Sequence, residues 1–546
     1  MESIDARIAR LTSETSAGTG TWQGPPRSPD RGTTREAIRL ASNGRPATIN
    51  PEAGGLKYTM ADPSRDVSSR LAAYAHAAGT VGVDTGRELS IRDALRRAQQ
   101  SSREFLTAQE QYILAAIALL VERHQWGPRL FNDTSVSLGG AGDDGHFTHA
   151  VDIVNTLRAT QRLPSGGTLE ARWVWAATEQ LRETSTGRYT QSSRLVLSGE
   201  VPLLRGAGLA ARESLIQAER DVVYAARDFE RFRREFLVDI ARDYVELQNT
   251  RSAIANQERQ LRSLRDNAKR TAARVAAGRI EAFEQGIADN EVLGAEASLA
   301  SQREQYILQL ERFKIRLGLE PTDLIRITDE TLDVPEPEID LEGASRLALE
   351  YRLDLQNQRD RLDDARRDVA IARNALLPQL DVGASVTVPT DDDERVGGLS
   401  PSPDDLRYEA SATLGLPLDR RAERLRHRAT IIQLERATRE YERAQDEAIV
   451  AVRSALRRVD LARFQLRLAE QQVEINRKRR RGQELRADTI DTQVLLDSEN
   501  ALLAAENQRD RAQANLRIAV LNYLLESDQL RVARDGTLER LPGMGG

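Results

Sequence analysis

The clearest pattern in the chain is a strict alternation over two short stretches. In 380–388, Leu380, Val382, Ala384, Val386 and Val388 alternate with Asp381, Gly383, Ser385 and Thr387. In 408–416, Tyr408, Ala410, Ala412, Leu414 and Leu416 alternate with Glu409, Ser411, Thr413 and Gly415. A period of two places the apolar residues on one face of a strand and the polar ones on the other. That suits a soluble antiparallel sheet with one buried face, and equally a membrane barrel with a lipid-facing exterior and a wet lumen. A lone hairpin is not stable by itself, and no strand-rich segment lies nearby, which favours the barrel. A weaker alternation, Leu130, Val136 and Leu138, then Leu195, Leu197 and Val201, predicts a related pair within 129–203.

Elsewhere the period is helical. A helix is predicted from Leu89 to Trp126, ended by Pro128. A second helical run covers 206–318 with an interruption at Gly278. A third runs from about 342 to 376 and stops before Pro378. A fourth covers 419–524 with an interruption near Gly482. If 208–276 is continuous, it spans ~100 Å at 1.5 Å per residue, so it needs equally long neighbours packed alongside. Ala448, Val452, Ala455, Val459, Ala462, Leu466, Ala469 and Val473 form a heptad stripe with alanine at every seventh position. Ile449, Leu456, Phe464, Leu468 and Ile475 form a second stripe on another side. Two seams suit a helix in a closed wall; one broad stripe of an ordinary bundle helix is the alternative.

The order helix, strands, long helix, turn, helix occurs twice, so the chain is an internal repeat. Pro128 matches Pro378, Pro202 matches Pro417, and Gly278 matches Gly482. The distances from Gly278 to Leu317 and from Gly482 to Leu521 are both 39 residues. The expected organisation is a largely irregular segment 1–87, with a short amphipathic helix around Ile4, Ile8 and Leu11. A first repeat 88–318, a linker 319–341, a second repeat 342–525 and an irregular tail 526–546 follow. The first repeat carries an insert, 141–190, with a Leu163-Pro164-Ser165-Gly166-Gly167-Thr168 turn between two strand-like runs.

Composition agrees with long helices. Of 546 residues, 30% are charged and 4% aromatic. The absence of cysteine excludes disulfides, zinc–thiolate sites, iron–sulfur clusters, a cysteine nucleophile and an acylated lipobox cysteine. A net charge of −6 gives no global pull toward nucleic acid. The longest apolar run, Ile113 to Val121, is about half of the ~20 residues of a transmembrane helix, so none is expected. Met1-Glu2-Ser3-Ile4-Asp5 shows no basic and apolar leader pattern, which taken literally reads as cytoplasmic.

Chemistry-bearing clusters are few. Asp143, Asp144, His146 and His149 share a Gly-rich loop, where a solvated external loop is the simpler reading than a metal site. Asp391, Asp392, Asp393, Glu394, Asp404 and Asp405 form an acidic loop between the two clean strands. Arg477-Lys478-Arg479-Arg480-Arg481 is either a solvated, dipole-favoured helix end or a gate or docking element. No phosphate-cradling glycine loop, nucleophile elbow or spaced zinc-histidine pair is found, so neither catalysis nor a cofactor is expected.

Three segments, in order, carry a resemblance. Ala348-Leu349-Glu350-Tyr351-Arg352-Leu353-Asp354-Leu355 resembles the opening of the second repeat in the TolC family of outer-membrane efflux channels. Ala375-Leu376-Leu377-Pro378-Gln379-Leu380-Asp381 resembles that family's helix-to-strand junction. Val201-Pro202-Leu203-Leu204-Arg205-Gly206 resembles its strand-to-helix junction. The resemblance covers about 88–525. It implies a mainly α fold with a transmembrane β part: duplicated long-helix hairpins forming an α-barrel, and a trimeric β-barrel with four strands per protomer. It implies an outer-membrane location extending into the periplasm, with a periplasmic adaptor protein and an inner-membrane pump as partners. Carried over by position, the gate and adaptor-contact tips are Ala277-Gly278-Arg279-Ile280 and Arg481-Gly482-Gln483-Glu484. Arg479 and Arg480 stand on one side, and Glu281 and Glu284 on the other. Two features depart from the family pattern, the missing leader and the insert 141–190.

The function so implied is a passive, gated exit duct of a tripartite efflux or type I secretion system, with outer-membrane lipid around it. The rival is a soluble coiled-coil scaffold with small β elements. A third reading, the periplasmic adaptor, fits less well because an adaptor has one helical hairpin and larger β domains.

Overall fold

The computed structural model describes residues 10, 86–143, 146–181, 190–330, 341–389, 402–485, 492–533 and 538–540. The segment 1–85 lies outside them apart from Arg10, and with it the expected Ile4–Leu11 helix.

In chain order, the first repeat begins with β1 (Arg87–Leu89), α1 (Ile91–Ser101) and α2 (Arg103–Trp126). Four strands follow: β2 (Arg129–Asp143), β3 (His146–Arg162), β4 (Thr168–Leu181) and β5 (Thr190–Pro202). The repeat closes with α3 (Leu209–Ala276), α4 (Ala282–Arg316) and β6 (Ile325–Ile327). The second repeat has α5 (Leu341–Tyr351), α6 (Leu353–Asn374), β7 (Gln379–Pro389), β8 (Arg407–Gly415), α7 (Arg421–Glu484) and α8 (Thr492–Glu526). Two short strands end the chain, β9 (Leu530–Val532) and β10 (Leu538–Arg540).

The long-helix plan holds: α3 has 68 residues and α7 has 64. Four expectations change. The helix over 89–126 is broken at Ser102, and that over 342–376 at Arg352. Each break precedes its proline, Pro128 or Pro378, by 26 residues, so the break belongs to the repeat. The two strand-like runs of the insert are strands, β3 and β4. The linker 319–341 contains β6, which pairs in parallel with β1, and the tail contains β9 paired with β10. Gly482 does not interrupt α7, which runs through it to Glu484. Finally, α2 is long and apolar enough to cross a membrane by length and composition, and no other described helix is. The expectation of none counted an uninterrupted apolar run, whereas sparse polar residues do not disqualify a span.

The described residues fall into two compact units, each drawing on both repeats rather than following them. One lies within Met1–Tyr112, Ala226–Gln356 and Ala444–Gly546. Its core includes Phe105 edge-on to Phe229, with ring centroids 5.5 Å apart. Four buried charges clamp the chain end. Arg234 donates from Nη1 to Asp528 at 2.8 Å and from Nε to Glu230 at 3.0 Å. Arg233 reaches the carbonyls of Val532 and Ala533 at 3.2 and 2.8 Å.

The other unit lies within Ile113–Ala225 and Asn357–Arg443. It holds a six-stranded antiparallel sheet in the order β2-β3-β4-β5-β7-β8. Beside it, Arg367 of α6 forks onto Glu213 of α3, at 3.2 Å from Nε and 3.1 Å from Nη2. Tyr224 donates to Asp364 at 2.5 Å, and burial with that bond pushes its phenol up to about 12.

Candidate functional site

The sheet is the first candidate, because its ladder register sorts side chains by chemistry. Leu157 of β3 lies opposite Trp173 of β4, Trp173 opposite Leu195 of β5, and Leu195 opposite Val388 of β7. The next apolar position of β7, Val386, lies opposite Tyr408 of β8. On β2, Leu130 and Val136 stand opposite Ala159 and Ile153. One apolar face therefore crosses all six strands. It is open rather than packed: Leu130 is 75% exposed, Tyr408 82% and Leu414 60%. A soluble sheet with one buried face would cover these positions.

The other face is polar. Glu170, Ser198, Ser385 and Glu409 form one cross-strand row, and Glu200, Gly383 and Ser411 the next. Arg158 lies 3.6 Å from Asp133 and stacks over Phe131. Both edges of the sheet, β2 and β8, lack a strand partner among the described residues. Asp143 and His146 face each other at the end of the β2–β3 ladder. Asp144 and the acidic positions 391–394 lie outside the described residues, while Asp404 and Asp405 sit in a single turn before β8.

The helix tips are the second candidate. After α3, Gly278 takes φ +67°, and the Arg279 amide donates to the Arg274 carbonyl at 2.9 Å. This reversal is the left-handed helix ending that glycine favours. Glu281 caps α4, and Arg279 and Glu281 are exposed, while Ile280 and Glu284 are half-buried.

Gly482, unlike Gly278, does not end its helix. Arg479, Arg480, Arg481, Gly482 and Glu484 lie in the last turns of α7, and the chain leaves the helix beyond them. The return helices α4 and α8 have 35 residues each. Aligned from their starts, Ala282 and Thr492, the sequence counterpart of Gly278 is Asp488 rather than Gly482. The equal 39-residue spacing measured from Gly482 is a coincidence of the glycine's position.

Nor does the cluster meet the acidic residues of the other tip. Arg480 lies 3.5 Å from Glu499 of α8, Arg477 3.5 Å from Glu506, and Lys478 2.7 Å from Glu474. Among the described residues no ion pair joins Arg479, Arg480 or Arg481 to Glu281 or Glu284.

Sequence reasoning also missed a polar seam behind the tips. Asn256 of α3 donates to Asn507 of α8 at 2.8 Å. Gln260 donates to Asn500 at 2.5 Å, Ser263 to Glu499 at 2.6 Å, and Asn500 to Glu291 of α4 at 2.7 Å. Asn256 and Glu499 are buried. Helical periodicity assigns such positions to solvent; their pairing across helices was the missing signal.

The stripes of α7 divide over part of its length: Leu456 of the second stripe is buried, and Ile449 of the second and Leu466 of the first are half-buried. Ala448, Val452, Ala455, Val459, Ala462, Ala469 and Val473 are buried, while Phe464, Leu468 and Ile475 of the second stripe are 51%, 42% and 64% exposed. On α2, Leu114, Ile117 and Val121 form another exposed apolar row. Each of these two helices thus leaves an apolar row open over part of its length.

Solved channels share the fold. The CmeC outer membrane channel of Campylobacter jejuni matches with TM-score 0.61 at 13% identity, over 83% of this chain and 87% of that one. The open state of the Neisseria gonorrhoeae MtrE outer membrane channel matches at 0.59 and 15%, over 80% and 88%. The outer membrane protein VceC of Vibrio cholerae matches at 0.57 and 15%, over 80% and 95%. The fold is that of the outer-membrane efflux channels. By sequence, residues 344–520 match the family described as outer membrane efflux protein. No curated protein matches the chain. The resemblance to TolC-like channels is thus borne out, by sequence in the second repeat and by the efflux-channel fold over both. One implied detail is corrected: the sheet has six strands per protomer, not four, because the insert contributes β3 and β4.

Proposed function

We propose that three copies of this chain close into a passive exit duct in the outer membrane, serving a tripartite efflux system. The observation that carries this reading is the open apolar face across a sheet whose two edges have no strand partner among the described residues. In lipid every backbone group needs a partner, so a sheet with free edges must close with other copies. The open stripe of α7 supports the same conclusion for the helices. Enclosure and gating are the mechanism; no bond is made or broken. The tips are the gate and the adaptor contact: Gly278, Arg279, Ile280, Glu281 and Glu284 on one side, and Arg479, Arg480, Arg481, Gly482 and Glu484 on the other. A periplasmic adaptor and an inner-membrane pump complete the path. An adaptor that binds the tips more tightly in the open arrangement would shift the population toward it.

The test is fractionation followed by sizing. The duct should sediment with outer membrane, require detergent, and scatter light as a trimer. A monomer, or release without detergent as for a soluble scaffold, would sink the reading.

A further inference from the structure

The insert is not an appendage on the sheet. Its turn is fitted to the base of the neighbouring strand. Leu163 donates to the Gly167 carbonyl at 2.7 Å, and Gly208 to the Ser165 carbonyl at 3.2 Å. Gly166 takes φ +105°, and a Cβ there would lie 2.7 Å from the Gly206 carbonyl oxygen. A Cβ on Gly167 would lie 2.0 Å from the Glu200 carbonyl oxygen. Both glycines are required where the turn lies against the β5-to-α3 junction.

The two inserted strands carry the same sorting as the rest of the sheet. On one face stand Val151, Ile153, Asn155, Leu157 and Ala159 of β3 with Leu169, Ala171, Trp173, Trp175 and Ala177 of β4, none of them charged; the acidic residue on this face, Glu179, stands near the far end of β4, opposite Val151. Asp152, Arg158, Glu170 and Arg172 all lie on the other face, which is continuous with the polar rows of β5, β7 and β8. Leu157, Leu169 and Trp173 are 42%, 40% and 40% exposed. At 17 and 14 residues, both strands exceed the ~9–11 that a tilted membrane strand needs. A plug inside the lumen would have no reason to present a face that is uncharged from Leu169 to Ala177 of β4. A hairpin outside the membrane would not continue the barrel's register.

We propose that β3 and β4 are staves of the membrane wall, so that three copies close into an eighteen-stranded barrel through β8 of one copy and β2 of the next. The inference rests on the exit-duct reading and adds to it the width of the mouth. Barrel diameter grows roughly linearly with strand number, so the mouth is about 1.5 times as wide as one built from four strands per copy, and about twice its area. Selection by size then falls to the helix tips rather than to the mouth.

Because the chain has no cysteine, single cysteines report cleanly. Leu157→Cys and Thr156→Cys probe the two faces of β3, and Val386→Cys and Ser385→Cys probe the two faces of β7 as references. Each is labelled with an environment-sensitive fluorophore in reconstituted trimers, then exposed to acyl-chain spin-labelled lipid or to aqueous iodide. The expected result is loss of emission to lipid at Leu157→Cys and Val386→Cys, and to iodide at Thr156→Cys and Ser385→Cys. Lipid quenching at Val386→Cys with iodide quenching at both β3 positions overturns the inference and leaves the duct standing. Iodide quenching at all four positions overturns both. Electron cryomicroscopy of the same trimers in nanodiscs gives a second readout, and a twelve-stranded wall there overturns the inference even if a labelled variant misfolds.

Discussion

In the first repeat the return helix α4 ends at Arg316, and Gly318 takes φ +73°; in the second, α8 ends at Glu526, and Asp528 takes φ +57°. Both endings have one backbone geometry. Leu319 donates to the Lys314 carbonyl and Gln529 to the Leu524 carbonyl, each at 2.9 Å. The residue types differ because the surroundings differ. A Cβ on Gly318 would lie 2.0 Å from the Ser101 carbonyl oxygen, so only glycine fits. Asp528 keeps its side chain because the carboxylate holds Arg234 at 2.8 Å and Arg531 at 3.3 Å. Duplication kept the backbone while the two copies took on different chemistry, and the left-handed strain at Asp528 is offset by buried charge.

Exchanging the two solutions is the strongest way to break this comparison. Gly318→Ala adds a side chain to a left-handed position with no room, and should cost ~2–5 kcal/mol. Asp528→Gly relieves the strain but leaves Arg234 with Glu230 alone and Arg531 without Asp528, and removing one member of a buried charge cluster costs ~3–5 kcal/mol. Both variants should therefore lower the denaturant midpoint of the purified protein. If Asp528→Gly were neutral or stabilising, the carboxylate would not be what holds that backbone.

The helix breaks give a second, smaller contrast. In the first repeat the break residue, Ser102, is buried, and its hydroxyl has no hydrogen-bond partner among the described residues. In the second repeat Arg352 chelates Asp354 at 3.0–3.3 Å and reaches Glu526 at 2.9 Å, while Arg231 also contacts Asp354. Burial alone would raise the Asp354 carboxyl, but the Arg352 hydrogen bonds and the Arg231 charge outweigh it and hold it below the usual carboxylate range. A depressed carboxyl stabilises the fold above its ordinary titration range, and that contribution is lost as pH falls through the folded value. Acid unfolding should therefore be less steep in Asp354→Asn, which should also cost about 1 kcal/mol at neutral pH, given the site's partial exposure. Ser102→Ala should leave the pH profile unchanged. Equal slopes for wild type and Asp354→Asn would show that the pair does not report on acid.

These contrasts mark where the sequence could be read. Period-two alternation in 380–388 and 408–416 located β7 and β8, and the alanine heptads located the buried seam of α7, because burial on one face writes a period. The insert's strands were half-legible, since turn glycines and a Trp173-Val174-Trp175 run blur the alternation. The buried cluster Glu230, Arg233 and Arg234 was not legible. A run of charges on a helix looks solvated until its partners, 294 residues away at Asp528, are in view. Gly482 resembled a turn glycine but lies inside α7, and the sequence counterpart of Gly278, Asp488, is a residue type that a glycine match could not find.

The smallest expected effect concerns that tip, and it separates two accounts of the arginine cluster. If Arg480 belonged to a ring with Glu281 across the two repeats, Arg480→Ser and Glu281→Ser would remove one shared interaction and add little to each other. The structure instead sets Arg480 3.5 Å from Glu499, whose other oxygen is buried with no hydrogen-bond partner among the described residues. Arg480→Ser should therefore cost ~1 kcal/mol, and the loss should shrink in high salt because the arginine is partly exposed. Combined with Glu499→Gln, the two costs should fall short of their sum; combined with Glu281→Ser, they should add. Glu281 is exposed and sits in the first repeat's cap, so its loss should be small by itself. Denaturant midpoints of the three single and two double variants measure both couplings. Coupling of Arg480 to Glu281 and none to Glu499 would restore the cross-repeat ring and place the gate's charge pairs between the repeats.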